Sequence, residues 1–199
     1  DGTVKEADAV ILAAPHYAVQ RMLSQYDFLE PFKETNATSV ANVAMAFDAS
    51  AIKKDIDGTG FVVSRNSDFR ITACTWTHKK WPHSTPGGKV LLRCYVGKPS
   101  DQEVVRKTDE EIEEIVLNDL NKTMNITAKP EFSIVTRWYD AMPQYTVGHK
   151  QRVNEITEQM EKDLPGVYLA GNSYRGIGLP DCIDQGEAAV QNVIDFLYH

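Results

Sequence analysis

Cysteine is scarce in this sequence. Cys74, Cys94 and Cys182 are the only three in 199 residues, odd in number and far apart. That pattern argues against a disulfide framework or a zinc site and is expected of free thiols in a reducing compartment. Long apolar runs are lacking too: none approaches the roughly 20 residues that a membrane-spanning helix needs. Positive charge is in deficit. Twenty-one Lys and Arg face 28 Asp and Glu, a net charge of −7, the wrong balance for a protein that grips nucleic-acid phosphates. Internal repeats and low-complexity tracts are absent. Aromatic and β-branched residues run the whole length, which argues against disorder. His78 and His83 are separated by Pro82 and have no second ligand pair nearby, so no metal site is expected. What remains is ordinary globular composition, 42% apolar and 25% charged, enough for one large domain or two small ones.

The chain begins and ends with α/β patterns. Ala7–Ala14 is a continuous apolar run that reads as a strand buried on both faces, stopped by Pro15. His16–Leu23 follows with helical spacing, and Ser24–Asn36 reads as polar and irregular. Strands are expected at Val40–Phe47, Phe61–Ser64, Ile71–Thr77, Lys89–Val96 and Phe132–Tyr139. In Lys89–Val96, Val90, Leu92, Cys94 and Val96 form a dry face, and Leu91, Arg93 and Tyr95 a mixed one. Thr108 with Glu111 three residues on forms a capping box for a helix whose stripe is Ile112, Ile115, Val116 and Leu120. Arg152–Leu164 reads as a helix and Val167–Ala170 as a short strand. Asp181 is expected to cap a last helix running to about Tyr198, with an inner stripe of Ile183, Gly186, Val190, Val193 and Leu197. Asp1 is not an initiator Met. A strand so near the start is expected of a chain cut from a longer one, or else of a tag remnant before a genuine start.

Chemistry concentrates in Gly166–Val190, GVYLAGNSYRGIGLPDCIDQGEAAV. A short strand ends at Gly171, and a loop with Gly176 and Gly178 enters a helix. Glycines let backbone approach a ligand, and a helix start presents unpaired N–H groups at the positive end of the dipole. Such a turn suits a phosphate or an electron-rich carbonyl oxygen; a glycine-rich connection with no ligand is the plain alternative. It is not a dinucleotide fingerprint, because Gly176-Ile177-Gly178 lacks the third glycine.

This segment resembles the C-terminal flavin segment of the protoporphyrinogen and coproporphyrinogen oxidases, members of the FAD-dependent amine-oxidase-like superfamily. GIGLPDCIDQG (Gly176–Gly186) is the most specific piece. WYDAMPQYTVGH (Trp138–His149) and ADAVILAAPH near the start resemble two further family segments. The similarity spans essentially the whole chain, weakest over 48–90 and strongest after 135, and looks closest to the bacterial coproporphyrinogen-type enzymes. It implies FAD contacts on Ile177, Gly178 and Leu179, and an aromatic residue near the flavin at Trp138, which a core role at a strand end explains equally well. An anionic porphyrinogen asks for cations. Arg93 is the candidate substrate contact, with Lys79 and Lys80 behind it, against the reading that all three are merely solvated. Asn172 stands where many superfamily members carry an acidic residue, which agrees better with the porphyrinogen-oxidase branch. No catalytic acid–base dyad is evident, and catalytic residues are left unassigned.

The resemblance also implies what this chain lacks. The family's strand–GxGxxG–helix unit for the ADP half of FAD is not here, nor is its membrane-facing helical region. The expectation is therefore the C-terminal part of an oxygen-utilising oxidase of haem biosynthesis that takes six electrons from coproporphyrinogen III or protoporphyrinogen IX, inactive as a fragment. The expected fold is α/β (α+β). Residues 1–36 and 138–199 would belong to an FAD/NAD(P)-binding fold. Residues 37–137 would form a substrate domain with a mixed or antiparallel sheet and one covering helix, 109–124. The protein is expected in the cytoplasm, with no transmembrane segment and with any peripheral membrane contact made through regions absent here. A non-enzymatic α/β binding module and another flavin amine-oxidase-like desaturase are the alternatives.

Overall fold

The computed structural model describes residues 2–53 and 57–198. In chain order the elements are β1 (Val10–Leu12), α1 (His16–Met22), β2 (Ala37–Asp48), β3 (Gly60–Val62), β4 (Ile71–Trp76), α2 (Thr77–Lys80) and β5 (Lys89–Val96). Then follow α3 (Asp109–Met124), β6 (Phe132–Pro143), α4 (His149–Asp163), β7 (Val167–Leu169) and α5 (Leu179–Tyr198). The chain divides into two compact units, residues 38–141 and the two flanking segments taken together. The expected mixture of parallel and antiparallel sheets is present. No helix among the described residues is long and apolar enough to cross a membrane.

Residues 38–141 form a five-stranded sheet in the order β3-β4-β5-β2-β6. β5 runs antiparallel to both β2 and β4. Its alternation is as expected: Val90, Leu92, Cys94 and Val96 are buried, and Leu91, Arg93 and Tyr95 are half-buried. Cys74 and Cys94, far apart in sequence, lie directly opposite each other across β4 and β5, and both are buried free thiols. A hydrogen bond with the neighbouring Cys74 thiol, together with burial, pushes Cys94 well above the usual cysteine range.

α3 packs on the dry face through Ile112, Val116 and Leu120, all fully buried and each worth roughly 1.5–3 kcal/mol of burial. Its capping box is in place: the Thr108 hydroxyl accepts the Glu111 N–H at 3.2 Å, and a Glu111 carboxylate oxygen accepts the Thr108 N–H at 3.0 Å. Asn125 ends the helix in the left-handed region, φ 59°. Asp119, on the same helix and buried, accepts the backbone N–H groups of Arg70 (2.7 Å) and Ile71 (3.0 Å) through Oδ2, tying α3 to the start of β4.

In the other unit β1 and β7 pair in parallel, Val10 opposite Val167 and Leu12 opposite Leu169. The core there is Val19, Leu29, Phe32, Val153, Ile156, Met160 and Tyr174.

Four expectations need correction. Ala7–Ala14 is not a strand buried on both faces. Only Val10–Leu12 is extended, and Val10 and Ile11 are 42% and 37% exposed, because β7 is their one strand partner among the described residues. Ser24–Asn36 is not irregular: Asp27–Glu34 winds as a 3₁₀ helix, and Leu29 and Phe32, three apart, share its buried side. Asp181 is not the first cap of α5. The helix begins at Leu179, and Asp181 in its first turn reaches back to accept the Gly178 N–H at 3.0 Å. The inner face of α5 is also rotated from the expected stripe. Ala189 is its buried residue, whereas Ile183 (61%), Val190 and Leu197 are exposed.

Candidate functional site

The first candidate site is the turn from β7 into α5. Gly171 bends the chain at φ 124°, and Ser173 and Tyr174 then turn inward, both buried. The Tyr174 hydroxyl donates to the Ala14 carbonyl at 2.7 Å, and its ring lies 5.7 Å from that of Phe32. Burial pushes this phenol far above the usual tyrosine range.

Two buried histidines brace the turn. His16, the first residue of α1, has Nε2 2.7 Å from the Thr35 carbonyl, an atom that only accepts, so Nε2 carries the proton. Its Nδ1 and its backbone N–H both meet the Ser173 hydroxyl at 3.2 Å. His149, the first residue of α4, likewise donates from Nε2 to the Tyr174 carbonyl at 2.8 Å. Burial lowers both imidazoles below the ordinary histidine value, outweighing those carbonyl contacts. Tyr145 stacks on His149 with ring centroids 3.7 Å apart. Its hydroxyl donates to the Asn172 carbonyl at 2.6 Å and accepts the Gly176 N–H at 3.1 Å. Burial raises the Tyr145 phenol as well.

With its inner side occupied in this way, the turn presents Ile177, Gly178 and Leu179 outward; Ile177 is 42% and Leu179 80% exposed. Pro180 has no N–H, so the first turn of α5 offers the N–H groups of Leu179 and Asp181, which have no intrahelical partners. The Asp181 carboxylate already places a negative charge at this helix start. A phosphate would meet that charge, whereas the carbonyl edge of a neutral ring would meet the helix dipole. Two exposed apolar side chains beside a polarising helix start match a flat ring with one polar edge, so a flavin ring fits these residues. Neither outward side chain, Ile177 or Leu179, can move a proton; the arrangement can only bind and polarise a ligand.

The second candidate site is the open face of the sheet in residues 38–141. Arg93 on β5 has Ala44 on β2 and Thr75 on β4 as its register partners, small residues that leave its guanidinium room. Its Nε donates to the Thr77 hydroxyl at 3.2 Å, and its guanidinium carbon lies 5.1 Å from the Trp81 ring centroid. Lys80 lies over the same ring at 4.7 Å, and Lys79 is 5.4 Å from the Trp76 ring centroid. Arg93 is thus an oriented cation, not a merely solvated one, and among the described residues it has no carboxylate within ion-pair distance. Trp138, on β6, is exposed. Val135 packs against the core, so alternation puts Trp138 and Ile134 on the open face. Trp138 belongs to the sheet unit, whereas Ile177, Gly178 and Leu179 belong to the other.

A cleft of about 650 Å³ lies between α3 and β6, lined by Asp109, Glu110, Glu113 and Glu114 with one lysine, Lys129. Four carboxylates against one lysine make this cleft repel anions.

Tyr145, His149, His16 and Ser173 were not singled out as site residues from sequence. The signal available was the segment Trp138–His149, whose resemblance already included two of them.

Comparison with known proteins identifies the family. The family model of flavin-containing amine oxidoreductases matches residues 1–194. Coproporphyrinogen III oxidase of Bacillus subtilis is 52% identical over 198 residues, all of this chain and 42% of that protein. The Staphylococcus aureus enzyme of the same name is 46% identical over 94% of this chain and 40% of its own length. A solved structure from Exiguobacterium sp. 255-15, described as a candidate protoporphyrinogen oxidase, superposes with a TM-score of 0.83 at 37% identity, over 97% of this chain and 42% of that one. The chain therefore spans about two fifths of the length of these relatives, and it belongs to the flavin-containing amine oxidoreductase family.

Proposed function

We propose that this chain is the C-terminal part of an FAD-dependent oxidase that converts coproporphyrinogen III to the porphyrin, with dioxygen as electron acceptor and protoporphyrinogen IX as the alternative substrate. One observation carries the reading: the turn into α5 is saturated with hydrogen bonds on its inner side and exposes Ile177, Gly178 and Leu179 on its outer side. The printed names of the relatives, coproporphyrinogen III oxidases of Bacillus subtilis and Staphylococcus aureus, support the substrate class. The apolar surface left open on β1 and on Ile183, Val190 and Ile194 of α5 supports a larger assembly of chain around this unit. The same reading places the protein in the cytoplasm and any membrane contact in regions outside this chain.

The flavin, when bound, would supply the redox chemistry, accepting electrons two at a time from the macrocycle. The chain's own residues bind and orient. Ile177 and Leu179 would hold the ring by apolar contact, and the N–H groups of Leu179 and Asp181 would supply hydrogen-bond donors to it. Arg93, held by Thr77 and Trp81, pairs with a carboxylate of the tetrapyrrole, while its small register partners Ala44 and Thr75 leave it room. Trp138, exposed on its own sheet, is proposed as an aromatic contact of the cofactor.

The test is porphyrinogen oxidation by the full-length enzyme. Arg93→Ala should raise the porphyrinogen KM about tenfold and leave kcat within about twofold, as expected for loss of one charge-assisted contact made equally in ground and transition states. An unchanged KM removes Arg93 from the substrate site.

A further inference from the structure

Behind the proposed flavin-facing surface lies a group of polar contacts for which that surface supplies no direct use. Three polar backbone atoms of the turn, at alternate residues, are satisfied by one stacked pair of rings. The Tyr145 hydroxyl takes both the Asn172 carbonyl (2.6 Å) and the Gly176 N–H (3.1 Å), acting as donor to one and acceptor from the other. His149 takes the Tyr174 carbonyl between them, at 2.8 Å. The two rings lie nearly parallel, 12° apart, so each fixes the plane of the other. The hydroxyl spans the two shoulders of the turn and so sets the distance between them. That distance decides where the chain re-enters helix at Leu179. The contacts to the turn are not local: Tyr145 is 27 residues from Asn172, and His149 is 25 from Tyr174. The contact also goes beyond filling space, since a phenylalanine would fill the same volume without meeting either backbone group.

We propose that Tyr145 and His149 are positioning residues for the flavin: they hold Asn172–Gly178 in the one conformation that presents the start of α5 outward. This assignment rests on the flavin reading above. In the absence of the clamp the turn samples other conformations, and apparent flavin affinity falls in proportion to the population of the competent one.

The experiment uses the full-length protein, with FAD as the probe. Tyr145→Phe keeps the stack and removes the two hydrogen bonds. Flavin should then bind about tenfold more weakly. In the flavin-free protein the Gly176 amide should exchange with solvent about tenfold faster. At saturating FAD, kcat should return to near the wild-type value with an unchanged porphyrinogen KM, because the turn is then held by the cofactor. His149→Gln keeps a donor near the Nε2 position and loses the ring, and should fall between wild type and Tyr145→Phe in flavin affinity. Wild-type flavin affinity and Gly176 exchange in Tyr145→Phe would overturn the assignment and leave the flavin reading standing. A lowered melting temperature with no recovery of kcat at saturating FAD would also overturn it, since that marks a general structural role. A wild-type protein that binds no flavin would sink the flavin reading, and this assignment with it.

Discussion

Gly176→Ala in the full-length protein should weaken flavin binding roughly hundredfold while leaving overall secondary structure intact. A Cβ at this position would lie 2.5 Å from both Cβ and Cγ of Asp181. Asp181 Cβ is not the free end of a long side chain, so relief must come from backbone. The carboxylate that accepts the Gly178 N–H loses its geometry, and the first turn of α5 shifts away from the surface formed by Ile177 and Leu179. Overpacking of this kind costs about 1–3 kcal/mol, which at its upper end corresponds to roughly two orders of magnitude in affinity. The measurement is a flavin titration of wild type and variant, with circular dichroism as the control for folding. Wild-type affinity in the variant would mean that the turn tolerates displacement and is not a binding surface. At Gly171 a Cβ would meet nothing within 4 Å, and a substitution there would be strained only through its φ of 124°.

Asp119→Ala should lower the unfolding free energy of residues 38–141 by about 3 kcal/mol or more. Asp119 is 1% exposed, and its carboxylate accepts two backbone N–H groups at the entry to β4. Its removal leaves two donors unpaired, each costing about 1–3 kcal/mol. Asp119→Asn keeps a carbonyl oxygen for those donors and should lose only about 1 kcal/mol. Urea unfolding of the three proteins measures both values, and a loss below about 1 kcal/mol for the alanine variant would contradict the tie between α3 and β4. The prediction bears on function because the bond secures β4, and Thr75 of β4 flanks Arg93.

Local patterns made much of this architecture legible from the sequence. Thr108 and Glu111 are three residues apart and cap α3 by contacts confined to one turn, so their pairing was visible without any tertiary knowledge. The alternation of β5 was equally plain, because a sheet with one covered face imposes a period of two. Failures came where a local pattern admits two answers. α5 carries apolar residues on two sides, and periodicity alone does not say which one the rest of the fold covers. The covered side proved to be that of Ala189, where a small residue permits close approach. In Asp27–Glu34, four charged side chains concealed Leu29 and Phe32, whose spacing of three belongs to a 3₁₀ helix rather than an α-helix.

The candidate site divides along the same line. The exposed apex at Ile177–Leu179 was visible as a glycine-bearing loop entering a helix. The bracing residues were not, because His16 meets Ser173 across 157 residues of sequence and no periodicity links them. Likewise, the alignment of Cys74 with Cys94 is a consequence of strand register, set by the whole sheet rather than by either strand.

Amide hydrogen exchange of the full-length protein, with and without FAD, tests most directly whether the start of α5 is a wall of the flavin site. The account predicts that the amides of Ile177, Gly178, Leu179 and Asp181 slow markedly when FAD binds, while those of α3 stay as they were. Equal exchange rates for these four amides in the flavin-free and flavin-bound protein would contradict it.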